Sequence, residues 1–303
     1  MTYTSRMDVL SDILRTLHLR AEVFLHACFR GDWAVDTSGE RRATFHMVAS
    51  GGCWLHMDDL PEPIALTGGD IIVFPHDAAH TLSNSESTPA DDFPRNQVPA
   101  LETQGPAVIL ICGYFDFDRH SWNPLLESLP QVLVIRNEDA LKIPLMETLG
   151  RFLTYEVEST QAGSNLLIDK LSEILFIHVI RSYMEKNKEK GFIAALADKH
   201  IGNALSKIHE KPSENWSVES LAQAVGMSRS AFAERFSRLV EMTPMSYLTH
   251  WRMTQAYEIF LTSEQSVAQV AEQCGYQSEV AFAKAFKKHF GFGPGQARKE
   301  KTN

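Results

Sequence analysis

Two sets of side chains in this sequence combine charge, hydrogen-bonding capacity and spacing in a way that suits recognition. The first is Arg229, Ser230, Ala233, Glu234, Arg235 and Arg238, set around Phe232 and Phe236. The second is Gln277, Ser278, Glu279, Lys284, Lys287 and Lys288, set around Phe282, Phe286 and Phe290. Phenylalanines four residues apart share one helix face, so the polar residues between them fall on the other faces. An arginine on such a face can take guanine O6 and N7 together, and a glutamate can accept from the cytosine amino group. Arg229, Ser230, Ala233 and Glu234 are the base-edge candidates of the first set. Gln277, Ser278, Glu279 and Lys284 are those of the second. Arg235, Arg238, Lys287 and Lys288 are better placed for phosphates, which set register without reading sequence. Any one of these charges is equally well explained as a solvated helix face; the argument rests on the group.

The elements that must position them can be read from caps and turns. Ser266 and Gln269 have the spacing of a capping box at the start of a short helix. Gly275 supplies a tight turn, and Ser278 can cap the next helix. The same arrangement occurs upstream, where Ser217–Gly226 is followed by a segment ending at Pro244. Gly226 and Gly275 are 49 residues apart, whereas Phe232 and Phe282, Phe236 and Phe286, and Pro244 and Pro294 are each 50 apart. One residue is therefore inserted at the second turn. Two short helices joined by a tight turn make a helix-turn-helix, and the internal repeat argues against coincidence. Thr243-Pro244 suggests an N-cap with proline in the first helical position. A helix from there to Leu261 would span about 27 Å, close to the roughly 34 Å between successive major-groove turns.

Residues from about 191 to 298 resemble the AraC/XylS family of transcription regulators. That family closes on a motif near GYxSxxxFxxxFKxxxGxxPxxYR, and this chain has GYQSEVAFAKAFKKHFGFGPGQAR, ending at Arg298. It departs at Ala297, where the family usually has Tyr, and at Glu241, where Gly is common. The resemblance implies two helix-turn-helix units joined by a long helix, double-stranded DNA as partner, and contact with RNA polymerase.

The N-terminal part has the texture of short strands separated by Gly, Asp and Pro, which suggests a β-barrel or jelly roll. ATFHMVASGGCWLHMDD alternates about a Gly-Gly pair and predicts a hairpin. Residues 83–106, rich in Ser, Pro, Asp and Asn, predict a surface loop. Gly69-x5-Pro75-x-Asp77-x2-His80-x3-Asn84 is similar to the second cupin motif, with Asp77 where that motif has glycine. Residues 20–118 resemble the cupin-type effector domain of some AraC/XylS regulators. In metal-binding cupins the position of His80 would be a ligand, but the His-x-His and Glu of the first motif are missing; His46-Met47-Val48 stands there. His46, His76, His80 and Cys112 are candidate ligands, three imidazoles and a thiolate, which would suit zinc. The alternative is that they line a pocket for an organic effector.

Net charge is −9, which is unusual for a DNA binder until the chain is divided. From Gly191 onward there are 13 Lys+Arg against 11 Asp+Glu, a net of +2, and the remainder carries 16 against 27, a net of −11. DNA affinity is thus expected from local placement of charge, not from a global field. The four cysteines are widely spaced without a CxxC, which argues against a disulfide scaffold or zinc finger. No run of 18 apolar residues exists, so a cytoplasmic protein with no membrane partner is expected. Ser164–Glu185 forms an amphipathic helix whose stripe of Leu167, Leu171, Ile174, Leu175, His178 and Val179 is read as a homodimer surface, with packing on its own barrel as the alternative.

The fold expected is α+β. It comprises a cupin-like effector domain at 1–160, a dimerisation helix and linker at 161–190, and an all-α DNA-binding domain at 191–303. The function expected is a sequence-specific regulator, an activator, answering to a small-molecule effector. The competing readings are a metal-dependent cupin enzyme with an appended DNA-binding domain and a constitutive architectural DNA binder.

Overall fold

The computed structural model describes residues 8–89, 96, 104–117, 122–140, 144–189 and 191–300. In chain order these form α1 (Val9–Thr16), β1 (Arg20–Phe29), β2 (Ala34–Val35), β3 (Ala43–Ser50), β4 (Gly52–His56), β5 (Ile64–Thr67), β6 (Ile71–Phe74), β7 (Thr81–Ser83) and β8 (Val108–Asp116). There follow α2 (Pro124–Glu127), β9 (Leu133–Ile135), α3 (Asn137–Ala140), α4 (Pro144–Glu158), α5 (Ser164–Lys186), α6 (Gly191–Ala197) and α7 (Lys199–Glu210). The chain ends in α8 (Val218–Ala224), α9 (Arg229–Val240), α10 (Pro244–Thr262), α11 (Val267–Gln273), α12 (Glu279–Phe290) and α13 (Pro294–Glu300). Most of the predicted loop at 83–106 lies outside the described residues.

One compact unit contains β1–β9 with α3–α5. Its strands form two antiparallel sheets, ordered β1-β8-β3-β6-β9 and β2-β7-β4-β5. The expected barrel is not closed among the described strands, because each sheet ends on strands with one neighbour. The predicted hairpin is also corrected: β3 pairs with β6 and β8, whereas β4 pairs with β5 and β7. Gly51 instead turns the chain from one sheet into the other at φ +84°, and a Cβ there would meet the Ala107 carbonyl at 2.4 Å. That close approach accounts for glycine in a way that a hairpin does not require. Between the sheets lies a core that includes Phe29, Trp33, Leu55, Ile72, Phe74, Leu82 and Cys112. All four residues of β6 are buried, as befits a short apolar run covered on both faces.

Helix α5 packs on this unit. Leu175, Phe176, Val179 and Ile180 are buried, and Phe176 meets Phe115 of β8 with ring centroids 4.9 Å apart. The expected stripe is therefore split. Leu175 and Val179 are buried, while Leu167 (50 %) and Ile174 (41 %) remain exposed.

The other unit holds α6–α13, together with α1 and α2. The caps expected at Thr243, Ser266 and Ser278 are present, and others join them. Asp198, Ser217, Ser228, Thr243, Ser266 and Ser278 each cap the next helix in the chain. Phe282 and Phe286 pack with Met253, Ala256 and Phe260 of α10, so the long connector is part of the core that supports α12. Phe232 and Phe236 are equally buried. Ala297, where the family usually has Tyr, is fully buried against the same cluster.

Candidate functional site

Helices α9 and α12 present the two sets of recognition candidates. Each begins on a serine cap: the Ser228 hydroxyl accepts from Ala231 N at 3.3 Å, and the Ser278 hydroxyl from Ala281 N at 3.4 Å. The caps fix where the first turn points and satisfy one of its free N–H groups. Arg229, Ser230, Glu234 and Arg238 are exposed on α9, and Glu279, Lys284, Lys287 and Lys288 on α12, with Gln277 and Ser278 just before it. Ala233 is half-buried. At the C-terminal end of α9 the inward residue is Val240, and Leu239 is half-buried.

Arg235 is engaged within the protein itself. Its Nε donates to Asp198 Oδ2 at 2.9 Å, and Nη2 makes a second bond to the same oxygen. Asp198 also caps α7, accepting from His200 N and Ile201 N. Burial pushes the Asp198 carboxyl up, but Ile201 N–H, the Arg235 guanidinium and His200 N–H outweigh it and hold the group below the usual carboxylate range. Arg235 therefore ties α9 to α7. Val280, which sequence reasoning passed over, is the most exposed large apolar residue described, at 80 %. It lies in the first turn of α12, where an apolar side chain can meet a thymine methyl. The signal was its place two residues before buried Phe282, on the opposite side of the helix.

In the sheet unit, His46 and His80 converge. Their Nε2 atoms are 2.9 Å apart, and Thr37 Oγ1 lies 3.3 and 3.2 Å from them. His80 Nδ1–H donates to the Ala78 carbonyl at 2.7 Å, so its Nε2 is the acceptor and His46 Nε2–H the donor. His46 Nδ1 is then a buried nitrogen without a partner. Phe74 stacks on the His80 ring at 3.6 Å. Burial, reinforced by His80, pushes the His46 pKa well below its ordinary value. Burial also lowers His80, against the opposing pull of the Ala78 carbonyl, Asp36 and Asp77. Both rings are neutral at pH 7.

Cys112 faces His46 across the β3–β8 pair. Its thiol is fully buried in the apolar core and pushed strongly up by that burial. His76 is exposed, with Nε2 3.0 Å from the Leu129 carbonyl. The four candidate ligands are thus not gathered, and among the described residues no group of three or more His, Cys, Asp or Glu is placed to hold a metal ion. The residues present do not fit a zinc centre.

A cavity of about 390 Å³ opens beside Thr37, lined by Phe24, Leu25, Phe29, Val35, Glu40 and Tyr114 among others. This is within the range of small-molecule sites. Phe24 sits at an irregularity in the β1–β8 register and stacks on Tyr114 at 4.3 Å; such bulges re-aim a side chain. Asp77 has φ +56°, so it keeps the left-handed backbone for which the cupin motif uses glycine. Its carboxylate accepts from Gly39 N and Arg41 N.

Comparison with known proteins finds two family matches in the chain. A cupin family (Cupin_6) matches residues 8–185, and a helix-turn-helix domain (HTH_18) matches residues 221–300. The chain belongs to the AraC family of transcription regulators that carry an N-terminal cupin domain. It is 33 % identical over 306 residues to a putative AraC-like transcription regulator of Streptomyces lividans, covering 98 % of this chain and 99 % of that one. It is 31 % identical over 306 residues to the HTH-type transcriptional regulator AlkR of Acinetobacter baylyi, covering 97 % and 100 %. It is 28 % identical over 297 residues to the RCS-specific transcriptional activator RclR of Escherichia coli, covering 96 % and 97 %. These relatives are regulators and not enzymes, and the cupin-enzyme reading is not favoured. The protein is a DNA-binding transcription regulator. Among the described residues no helix is long and apolar enough to cross a membrane.

Proposed function

We propose that this regulator is a cytoplasmic activator that reads double-stranded DNA with two helix-turn-helix units, α8–α9 and α11–α12, and answers to a small molecule bound in its cupin unit. The observation that carries the reading is the pair of exposed faces on α9 and α12 above buried phenylalanines at the same spacing. Arg229, Ser230, Ala233 and Glu234 read base edges in one groove segment. Gln277, Ser278, Glu279 and Lys284 read in the next, with Val280 added. Arg238, Lys287 and Lys288 grip phosphates, while Arg235 acts through Asp198. The effector enters beside Thr37, above the His46–His80 pair.

Two copies of the chain join through the uncovered side of α5, where Leu167, Leu171 and Ile174 lie three to four residues apart and so share a face. Exposed Phe152 and Tyr155 of α4 form a second apolar patch. RNA polymerase is the expected partner at the promoter, supported by the activator among its relatives. The test is the affinity of the whole chain for its selected DNA site as a function of salt. Log K should fall with log salt by roughly 0.9 per phosphate contact. A salt-independent affinity, or no selected site, would contradict the reading.

A further inference from the structure

The helical unit is not one stretch of chain. Its described parts are residues 8–18, 122–128, 187–189 and 191–300. Helix α1 buries Val9 and Ile13, with Leu17 buried at its C-cap, and packs against α7. Asp12 Oδ2 lies 3.5 Å from His209 Nδ1 on α7. His18 Nε2 lies 2.7 Å from the Glu258 carboxylate on α10. His209 is itself buried, stacked on Trp251 at 3.7 Å, with Nε2 2.8 Å from the Tyr247 hydroxyl. Trp122 packs on Tyr247 and His250 of α10, with ring centroids 5.5 and 4.6 Å apart. Asn123 donates to the Ile13 carbonyl at 3.4 Å. The two segments hold each other, and both hold the helices that support α9 and the connector.

Both segments are also close in sequence to strands of the sheet. His18 is two residues before Arg20, the first residue of β1, and Trp122 is six after Asp116, the last of β8. Strands β1 and β8 are antiparallel neighbours with Arg20 opposite Asp116, so the chain enters and leaves at the same end of one strand pair. Arg42 bonds both Glu22 and Asp116 there. The same two strands carry Phe24, Leu25 and Tyr114 of the cavity and Cys112 opposite His46.

We propose that the β1–β8 pair, continued as α1 and the Trp122 segment, is the element that couples the cavity to the DNA-reading helices, with Asp12, His18 and Trp122 as positioning residues. On this account the coupling does not run through residues 187–189. The proposal rests on the DNA-reading and effector assignments above. Linkage then requires that DNA bound at one end alter the strands at the other.

The experiment uses the intact chain and a duplex obtained by binding-site selection. Amide hydrogen exchange is followed in 20–29 and 108–116 with and without that duplex. Slowing of about fivefold or more is expected on DNA binding. A variant with Gly-Ser-Gly-Ser inserted both between His18 and Leu19 and between Phe117 and Asp118 should still bind the duplex but lose the slowing. The same insertion between Asn187 and Lys188 should keep it. A second variant, Asp12→Asn with His18→Gln, changes no chain length and should reduce the slowing and speed exchange in 20–29 without DNA. Failure to select any duplex would strike the DNA reading itself. Exchange in the two strands that ignores DNA, or slowing lost through the 187/188 insertion alone, would overturn the coupling proposal.

Discussion

Helices α9 and α12 are two versions of one device, alike in their buried phenylalanines and unlike in much of what faces out. At an offset of 50, buried Phe232 and Phe236 correspond to buried Phe282 and Phe286. Two outward charges are reversed, Arg229 corresponding to Glu279 and Glu234 to Lys284, whereas Arg238 and Lys288 keep the same sign. Arg235, tied to Asp198, corresponds to Ala285, which has no charge to tie. Glu241 ends α9 at φ +60° where Gly291 ends α12 at φ +81°. Core positions are constrained by packing, which tolerates little change of volume, whereas exposed positions are free to diverge. On the proposed reading, matching frames with differing faces would give two different base readings within one site.

The largest effect should test the shared frame. Phe236→Ala and Phe286→Ala should each cost about 3–5 kcal/mol in denaturant unfolding. A loss under about 1 kcal/mol in either would show that the copies are not packed alike. The next effect separates the faces. Glu234→Ala and Lys284→Ala should each lower discrimination at one base pair by about 1–3 kcal/mol. Lys288→Ala should weaken all duplexes evenly and flatten the salt slope. The helix ends come third. A non-glycine left-handed residue costs about 1–2 kcal/mol, so Glu241→Gly should raise stability and Gly291→Ala lower it by similar amounts, read from melting curves. Smallest is the tie on α9. Arg235→Ala should cost at most about 1 kcal/mol of stability, because the pair is partly exposed. It should leave the salt slope unchanged, in contrast with Arg238→Ala.

The helical half was legible because its signals are local. Ser217, Ser266 and Ser278 cap α8, α11 and α12, and Pro244 opens the connector, within a few residues of the groups they bond. The sheet half was legible in kind but not in pairing. The run 43–56 has the alternation and the Gly-Gly of a hairpin, yet β3 and β4 join different sheets. Alternation specifies faces, whereas pairing is decided by distant strands such as β8. Two departures from family motifs proved conservative in backbone terms: Asp77 and Glu241 stand where glycine is usual and keep positive φ. For the histidines, the cupin motif located His80, but only the fold placed His46 against it and left His76 exposed on the Leu129 carbonyl. Likewise nothing within 8–18 announces that α1 docks on α7, since its partner His209 is nearly two hundred residues away.

The central claim is that α9 and α12 read different bases of one site. Binding-site selection on the whole chain, repeated with Glu234→Ala and with Lys284→Ala, tests it directly. The account predicts that each variant loses preference at its own position, and that the two positions lie about one helical turn, roughly 10 base pairs, apart. Loss at the same position in both variants, or an unchanged selected sequence in both, would contradict it.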